Sequence, residues 1–190
     1  LHENSRAHVV QKQGDEWRVR CAEGEVTTQH VVHCVSSLDR SIHKASGRAV
    51  LPVATYVAVT EPLNQDAVRT SAAVADTRRA GNYYRLIDEG RLLWGGRITT
   101  RVSEPARLAG EMKLDMLATY PQLGNPRIDY SWAGLKGYAL HKMPLIGRDN
   151  EGQCVATAFG GHGMNNTAMA GQWLARAIAD GDDEYRRFAP

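Results

Sequence analysis

The residues best suited to chemistry lie near the end of the sequence, in Ala158-Phe159-Gly160-Gly161-His162-Gly163-Met164-Asn165-Asn166-Thr167. The apolar run from Gln153 to Phe159 reads as a short strand, and a helix is expected to begin near Asn165 or Asn166. The glycines between them let the backbone turn tightly and approach a ligand with no Cβ in the way. A helix start offers unpaired N–H groups and about half a positive charge, so this unit can hold a phosphate or another electron-rich oxygen.

Two ligands compete for such a unit. Gly161, Gly163 and Asn166 nearly match the dinucleotide fingerprint glycine-x-glycine-x-x-glycine. That fingerprint needs a second strand after the helix and an acid about 20 residues on. Here the helix is expected to end near Asp180, with Gly181 in the C′ position, and the tail from Asp182 to Pro190 is polar. The second reading sets the helix start against the pyrimidine edge of a flavin, where a fixed dipole favours the negative charge of the reduced ring.

The remaining elements follow from periodicity. Arg6–Lys12, Glu16–Cys21 and Val26–Cys34 read as a meander of three strands, with Trp17, Val19 and Cys21 on one face of the second. Ser41–Ser46 is a short helix or loop, and Ala49–Thr60 a long β-rich stretch. Ala72–Ala75 is a further strand. Tyr83–Ile87 and Leu92–Arg97 form a hairpin around Asp88-Glu89-Gly90, and Gly95-Gly96 marks a close approach of something to the second strand. Ser103 is the expected N-cap of a helix that runs to Tyr120, with Leu108, Met112 and Met116 as a packing stripe. Ile128–Ala133 is another strand, and Gly134–Met143 reads as an irregular loop. In the last helix Ala170, Trp173, Leu174, Ala177 and Ile178 recur at helical spacing. The order is not a run of βαβ units, so the expected class is α+β.

Composition excludes several functions. The 190 residues carry 23 basic and 21 acidic side chains, well mixed, so no nucleic-acid or membrane-surface footprint is expected. No apolar run approaches the ~20 residues of a membrane span, and the amino terminus does not read as a signal peptide. Three widely spaced cysteines, Cys21, Cys34 and Cys154, read as buried free thiols in a reducing compartment, which implies the cytoplasm. His30, His33 and Cys34 lack a fourth ligand, so no metal is expected. No Gly-x-Ser-x-Gly elbow occurs. Arg97 and Arg101 read as surface charges.

Several segments together resemble the closing signature of D-amino-acid-oxidase-type FAD oxidoreductases, which include glycine, sarcosine and γ-glutamylputrescine oxidases. They are Trp132-Ala133-Gly134-Leu135-Lys136, Met143-Pro144-Leu145-Ile146-Gly147, Val155 to Ala158, Gly161-His162-Gly163-Met164, and Gly171 with Leu174-Ala175. Val31 to Ser37 is similar to the strand and turn that hand the chain to the substrate domain, although Ser36-Ser37 stands where an Ala-Gly or Thr-Gly pair is usual. Tyr56 to Leu63 resembles the first long substrate-domain strand, and Tyr83-Tyr84-Arg85 with Arg91 to Gly96 its hairpin.

The resemblance implies three parts. Residues 1–40 would belong to the FAD-binding domain, 41–130 to a substrate domain with a mixed or antiparallel sheet, and 131–190 to the FAD-binding domain again. The family's amino-terminal Rossmann βαβ unit does not occur in these residues, so this stretch alone is expected to hold FAD poorly. A longer chain or a separate chain would supply that unit; otherwise the chain is a non-catalytic subunit or a relic. An uncovered apolar face would favour a homo-oligomer. The implied reaction takes a hydride from the amine-bearing carbon of a small amine or amino acid. Gly161, His162, Gly163, Met164, Asn165, Asn166 and Thr167 would line the flavin, with Val10 and Ser36 nearer the dinucleotide. Lys136, Tyr83, Tyr84 and Arg85 would meet the substrate, with Tyr56 a weaker candidate. No Cys lies between Ser131 and Gly147, so the cofactor would be non-covalent.

Overall fold

The computed structural model describes residues 1–64, 66–78 and 80–188. The chain divides into two compact units, residues 1–52 with 136–190 and residues 53–135.

In the first unit β1 (Ala7–Gln13) and β2 (Glu16–Cys21) form a hairpin turning at Gly14, whose φ of 62° suits a residue without Cβ. Then β3 (Glu25–Thr28) adds antiparallel to β2. Trp17 is the buried anchor of this sheet. The expected third strand to Cys34 is in fact two. The Thr28 hydroxyl accepts a hydrogen bond from the His30 N–H, and that turn ends β3. The chain restarts as β4 (Val32–His33) in a different sheet.

This second sheet has the order β10-β11-β4, where β10 is Leu145–Arg148 and β11 is Cys154–Thr157. The β10–β11 pairing is antiparallel and the β11–β4 pairing parallel. Helix α1 (Lys44–Ala49) precedes the crossing to the second unit, and α3 (Gly163–Ala179) lies against β11. Ala170, Leu174 and Ala177 of α3 pack on Ile146, Cys154 and Ala156. The helix begins two or three residues earlier than expected and is capped at Asp180, before Gly181 at φ 71°. The polar tail is also more ordered than its composition indicates. Glu184–Phe188 forms a 3-10 turn that buries Tyr185, and the Phe188 ring packs at a tilt against Trp173; residues 189 and 190 lie outside the described residues.

The second unit is a five-stranded sheet, β6-β7-β8-β5-β9, packed on α2. Its strands are β5 (Leu51–Pro62), β6 (Val74–Ala75), β7 (Tyr83–Ile87), β8 (Arg91–Thr99) and β9 (Ile128–Tyr138). Alternate residues of β5, namely Ala54, Tyr56 and Ala58, meet Leu92, Trp94 and the buried α2 stripe Leu108, Met112 and Met116. Helix α2 (Leu108–Thr119) starts five residues after Ser103, which does not cap it. The Ser103 carbonyl accepts the Tyr56 hydroxyl, and the Glu104 carboxylate accepts the Ala133 N–H, so both residues are held by other strands. The strand β9 runs five residues past Ala133, through what reads locally as a loop. Arg97 is no idle surface charge: it bridges Glu111 and Asp115 of α2.

The mixed sheets and few helices make an α and β architecture with no simple βαβ alternation. No helix among the described residues is long and apolar enough to cross a membrane. Of the cysteines only Cys154 is buried, whereas Cys34 is exposed.

Candidate functional site

The parallel strands β4 and β11 end side by side, and both leave the sheet through left-handed backbone: Ser36 at φ 53°, Ala158 at 59° and Gly160 at 58°. The carboxyl ends of parallel strands are where open α/β sheets take ligands, and a groove here is lined by residues from both segments. Helix α3 starts at this edge. Its N-cap, His162, makes no side-chain cap bond, and its first turn holds no acid. First-turn N–H groups therefore keep their donor capacity. Met164, within that turn, is 94% exposed.

The glycines have different employments. The Tyr138 ring lies over Gly160, where a Cβ would come to 2.6 Å from its Cε1. At Gly161 the nearest neighbour of a Cβ would be the Tyr138 hydroxyl at 3.6 Å, and at Gly163 the Phe159 Cβ at 4.0 Å, so that backbone stays open to a ligand. The Thr167 hydroxyl donates to the Gly163 carbonyl at 2.6 Å, and Asn165 is exposed and Asn166 half-buried on the same first turns.

The Thr157 and Ser37 hydroxyl oxygens are buried with no hydrogen-bond partner among the described residues. Both are sealed from solvent, as are the unpaired Arg18 Nε and Trp94 Nε1 elsewhere. Beside them runs an apolar groove of about 530 Å³, lined by Val32, Cys34, Ser36, Phe159, Thr167 and Leu174 among others. Val10 lines a different cavity, with His8, Lys44, Arg48 and Glu151. The fold thus brings Ser36 to the glycine–helix edge but leaves Val10 apart from it.

Lys136 is half-buried near the end of β9, and burial holds its ammonium below the usual lysine range. Tyr83 and Tyr84 point to opposite faces of β7. The Tyr83 ring covers Gly95, whose Cβ would come to 2.0 Å from it, and Asn82 sits over Gly96 in the same way. Tyr84 turns into the core instead, where it stacks on Trp94 at 4.4 Å and meets Tyr120 edge-on. The neighbouring Tyr120 phenol pushes the Tyr84 phenol up to about 12. The Tyr84 ring thus packs on two sides against aromatic side chains at the core of the second unit. Tyr56 is likewise buried in the core. Arg85 shares the Tyr83 face and is exposed.

Sequence reasoning missed the cluster of His33, His43, Asp149, Gln153 and Ser46. The His33 Nε2–H donates to Gln153 Oε1 at 2.7 Å, and His43 Nε2–H to Asp149 Oδ2 at 3.1 Å. The two rings stack at 4.5 Å. Both histidines are buried. No group of three or more His, Cys, Asp or Glu side chains is placed to hold a metal ion among the described residues.

The profile of the FAD dependent oxidoreductase family matches residues 1–177. The chain belongs to that family. It is 34% identical over 174 residues to the probable oxidoreductase OrdL of Haemophilus influenzae, covering 87% of this chain and 39% of that protein. It is 30% identical over 176 residues to gamma-glutamylputrescine oxidoreductase of Escherichia coli, covering 90% and 41%. It therefore spans about two-fifths of the length of these curated relatives. Glycine oxidase from Bacillus cereus superposes with a TM-score of 0.80 at 20% identity, over 97% of this chain and 51% of that one. L-proline dehydrogenase from P. horikoshii superposes at 0.79 and 20%, over 96% and 51%. These two share the fold of this oxidoreductase chain. The family is defined by FAD, and the uncapped helix start with its open glycine backbone suits an electron-rich ring edge.

Proposed function

We propose that the full-length protein oxidises a small amine or amino acid with FAD held non-covalently at the start of α3. The observation that carries this reading is the α3 amino terminus, open and uncapped, at the carboxyl ends of β4 and β11. Bound FAD would accept the hydride leaving the amine-bearing carbon, and the imine so formed would hydrolyse in water.

The chain's own residues supply binding and charge. Backbone N–H groups of Gly161, Gly163, Met164 and Asn165, with the α3 dipole behind them, would hold the electron-rich edge of the flavin and favour its reduced form; the His162 N–H is taken by the Phe159 carbonyl. Ser36, which lines the adjoining groove, would meet the flavin's polar atoms. Val10 would lie toward the dinucleotide. Lys136, whose half-burial weakens its hold on the proton, would pair with a carboxylate or the reduced ring. Tyr83 and Arg85 would contact the substrate.

The dinucleotide-binding βαβ unit, from a longer chain or a separate one, would add to β4. That strand is at the sheet edge and leaves Val32 exposed beside the apolar groove. The amine branch is favoured because one relative is named for gamma-glutamylputrescine.

The test is the visible spectrum of the full-length gene product purified with FAD, followed without oxygen as amines and amino acids are added. A flavin band that bleaches with one of them is expected. A protein that takes up FAD and bleaches with none of them refutes the substrate class, and one that takes up no FAD refutes the reading entirely.

A further inference from the structure

We infer that Tyr138 is a positioning residue for the cofactor edge at the start of α3; the inference rests on the FAD reading above. Tyr138 is the last residue of β9 and is bridged to Phe159, while the Gly160 N–H donates to the Gly137 carbonyl at 2.9 Å. These backbone contacts lay the phenol along the glycine loop. Its ring takes the space over Gly160, within 2.6 Å of an added Cβ, and Gly160 is itself held at φ 58°. Any side chain at Gly160 would displace the ring, so the glycine and the tyrosine form one unit.

The hydroxyl has no such structural employment. A phenylalanine would fill the space over Gly160 equally well. The oxygen reaches Gly161, 3.6 Å from where its Cβ would stand, and makes no hydrogen bond to a described residue. Gly161 lies just before His162, the cap that gives α3 no side-chain bond. One phenol O–H and the first-turn N–H groups therefore converge on the same space. Two kinds of donor on one electron-rich oxygen hold it in a fixed direction, and both bind more strongly when that oxygen carries charge. Tyr138 thus adds a directed donor to the dipole of α3, and its contribution grows when the flavin is reduced.

Tyr138→Phe removes this donor and keeps the ring. In the full-length protein loaded with FAD, three quantities are compared with wild type: the midpoint potential by dye equilibration, the visible flavin spectrum, and the melting temperature of the FAD-free form. The expected result is an unchanged FAD-free melt, a shifted flavin spectrum, and about a tenfold loss of preference for reduced over oxidised flavin. That loss is a fall of ~30 mV for a two-electron couple. A variant with wild-type potential and spectrum overturns the inference, whatever its melt. A wild type that binds FAD while the variant behaves identically removes only Tyr138; a wild type that takes up no FAD removes the functional reading and the inference together.

Discussion

Acid should weaken this fold through His33 before it reaches any carboxylate. His33 is 4% exposed, and its Nε2–H donates to Gln153 Oε1 at 2.7 Å. Burial holds its pKa below the ordinary 6.5; the Gln153 hydrogen bond opposes that shift, the nearby His43 adds to it, and Asp149 opposes it. The neighbouring groups are His43, stacked at 4.5 Å, Asp149 on the β10–β11 turn, and Lys44, Arg48 and Glu151 around the adjoining cavity. Between 6.5 and the lower folded-state value, the unfolded chain binds the proton and the native one does not. His33 therefore stabilises fully above pH 6.5 and loses that contribution as pH falls below it. Asp149 is also held below its usual value, by its hydrogen bonds from His43, Gln153 and Glu151 against the cost of burial, so its contribution is lost only below 3.8.

One proton is worth at most about 1.4 kcal/mol per pH unit inside the window. For a chain of this size that is a fall in Tm of at most about 3–6 °C per unit. His33→Phe removes the titration and leaves Gln153 Oε1 buried and unpaired, which costs about 1–3 kcal/mol at any pH. Thermal melts by circular dichroism at steps from pH 8 to pH 4.5 read both effects. The variant should melt lower at pH 8 and show a flatter decline below 6.5. Parallel curves for the two proteins, or a wild type whose Tm holds steady down to pH 5, would refute the reasoning.

Other outcomes follow from single contacts. Gly95→Ala drives a Cβ to 2.0 Å from the Tyr83 ring, so it should destabilise the second unit by about 1–3 kcal/mol in urea unfolding. Met116→Ala empties a fully buried position under the five-stranded sheet and should cost about 2–5 kcal/mol in the same assay. Thr157→Val removes an orphan buried hydroxyl, so the protein should gain up to about 1 kcal/mol of stability in urea unfolding.

Local pattern was enough for much of the scaffold. The alternation of Trp17 and Val19, the stripe Leu108, Met112 and Met116, and the strand–glycine–helix order around Gly161 could all be read along the chain. Each depends on neighbours a few residues apart, where a period of 2 or 3.6 fixes the buried face. Element ends were less legible. The helix expected at Ser103 starts at Leu108, because Ser103 and Glu104 are held by Tyr56 and Ala133, residues 47 and 29 positions away.

The sequence by itself determined most of the strands and helices, and that one glycine-rich helix start could face an electron-rich ligand. Only the tertiary structure decided that Tyr84 belongs to the core and that Tyr138 covers Gly160. It also decided that His33 meets Gln153 across 120 residues and His43 meets Asp149 across 106. The reason is that a hydrogen bond or a ring stack is set by distance in space. Chain positions so far apart share no periodicity that a reader of the sequence could follow.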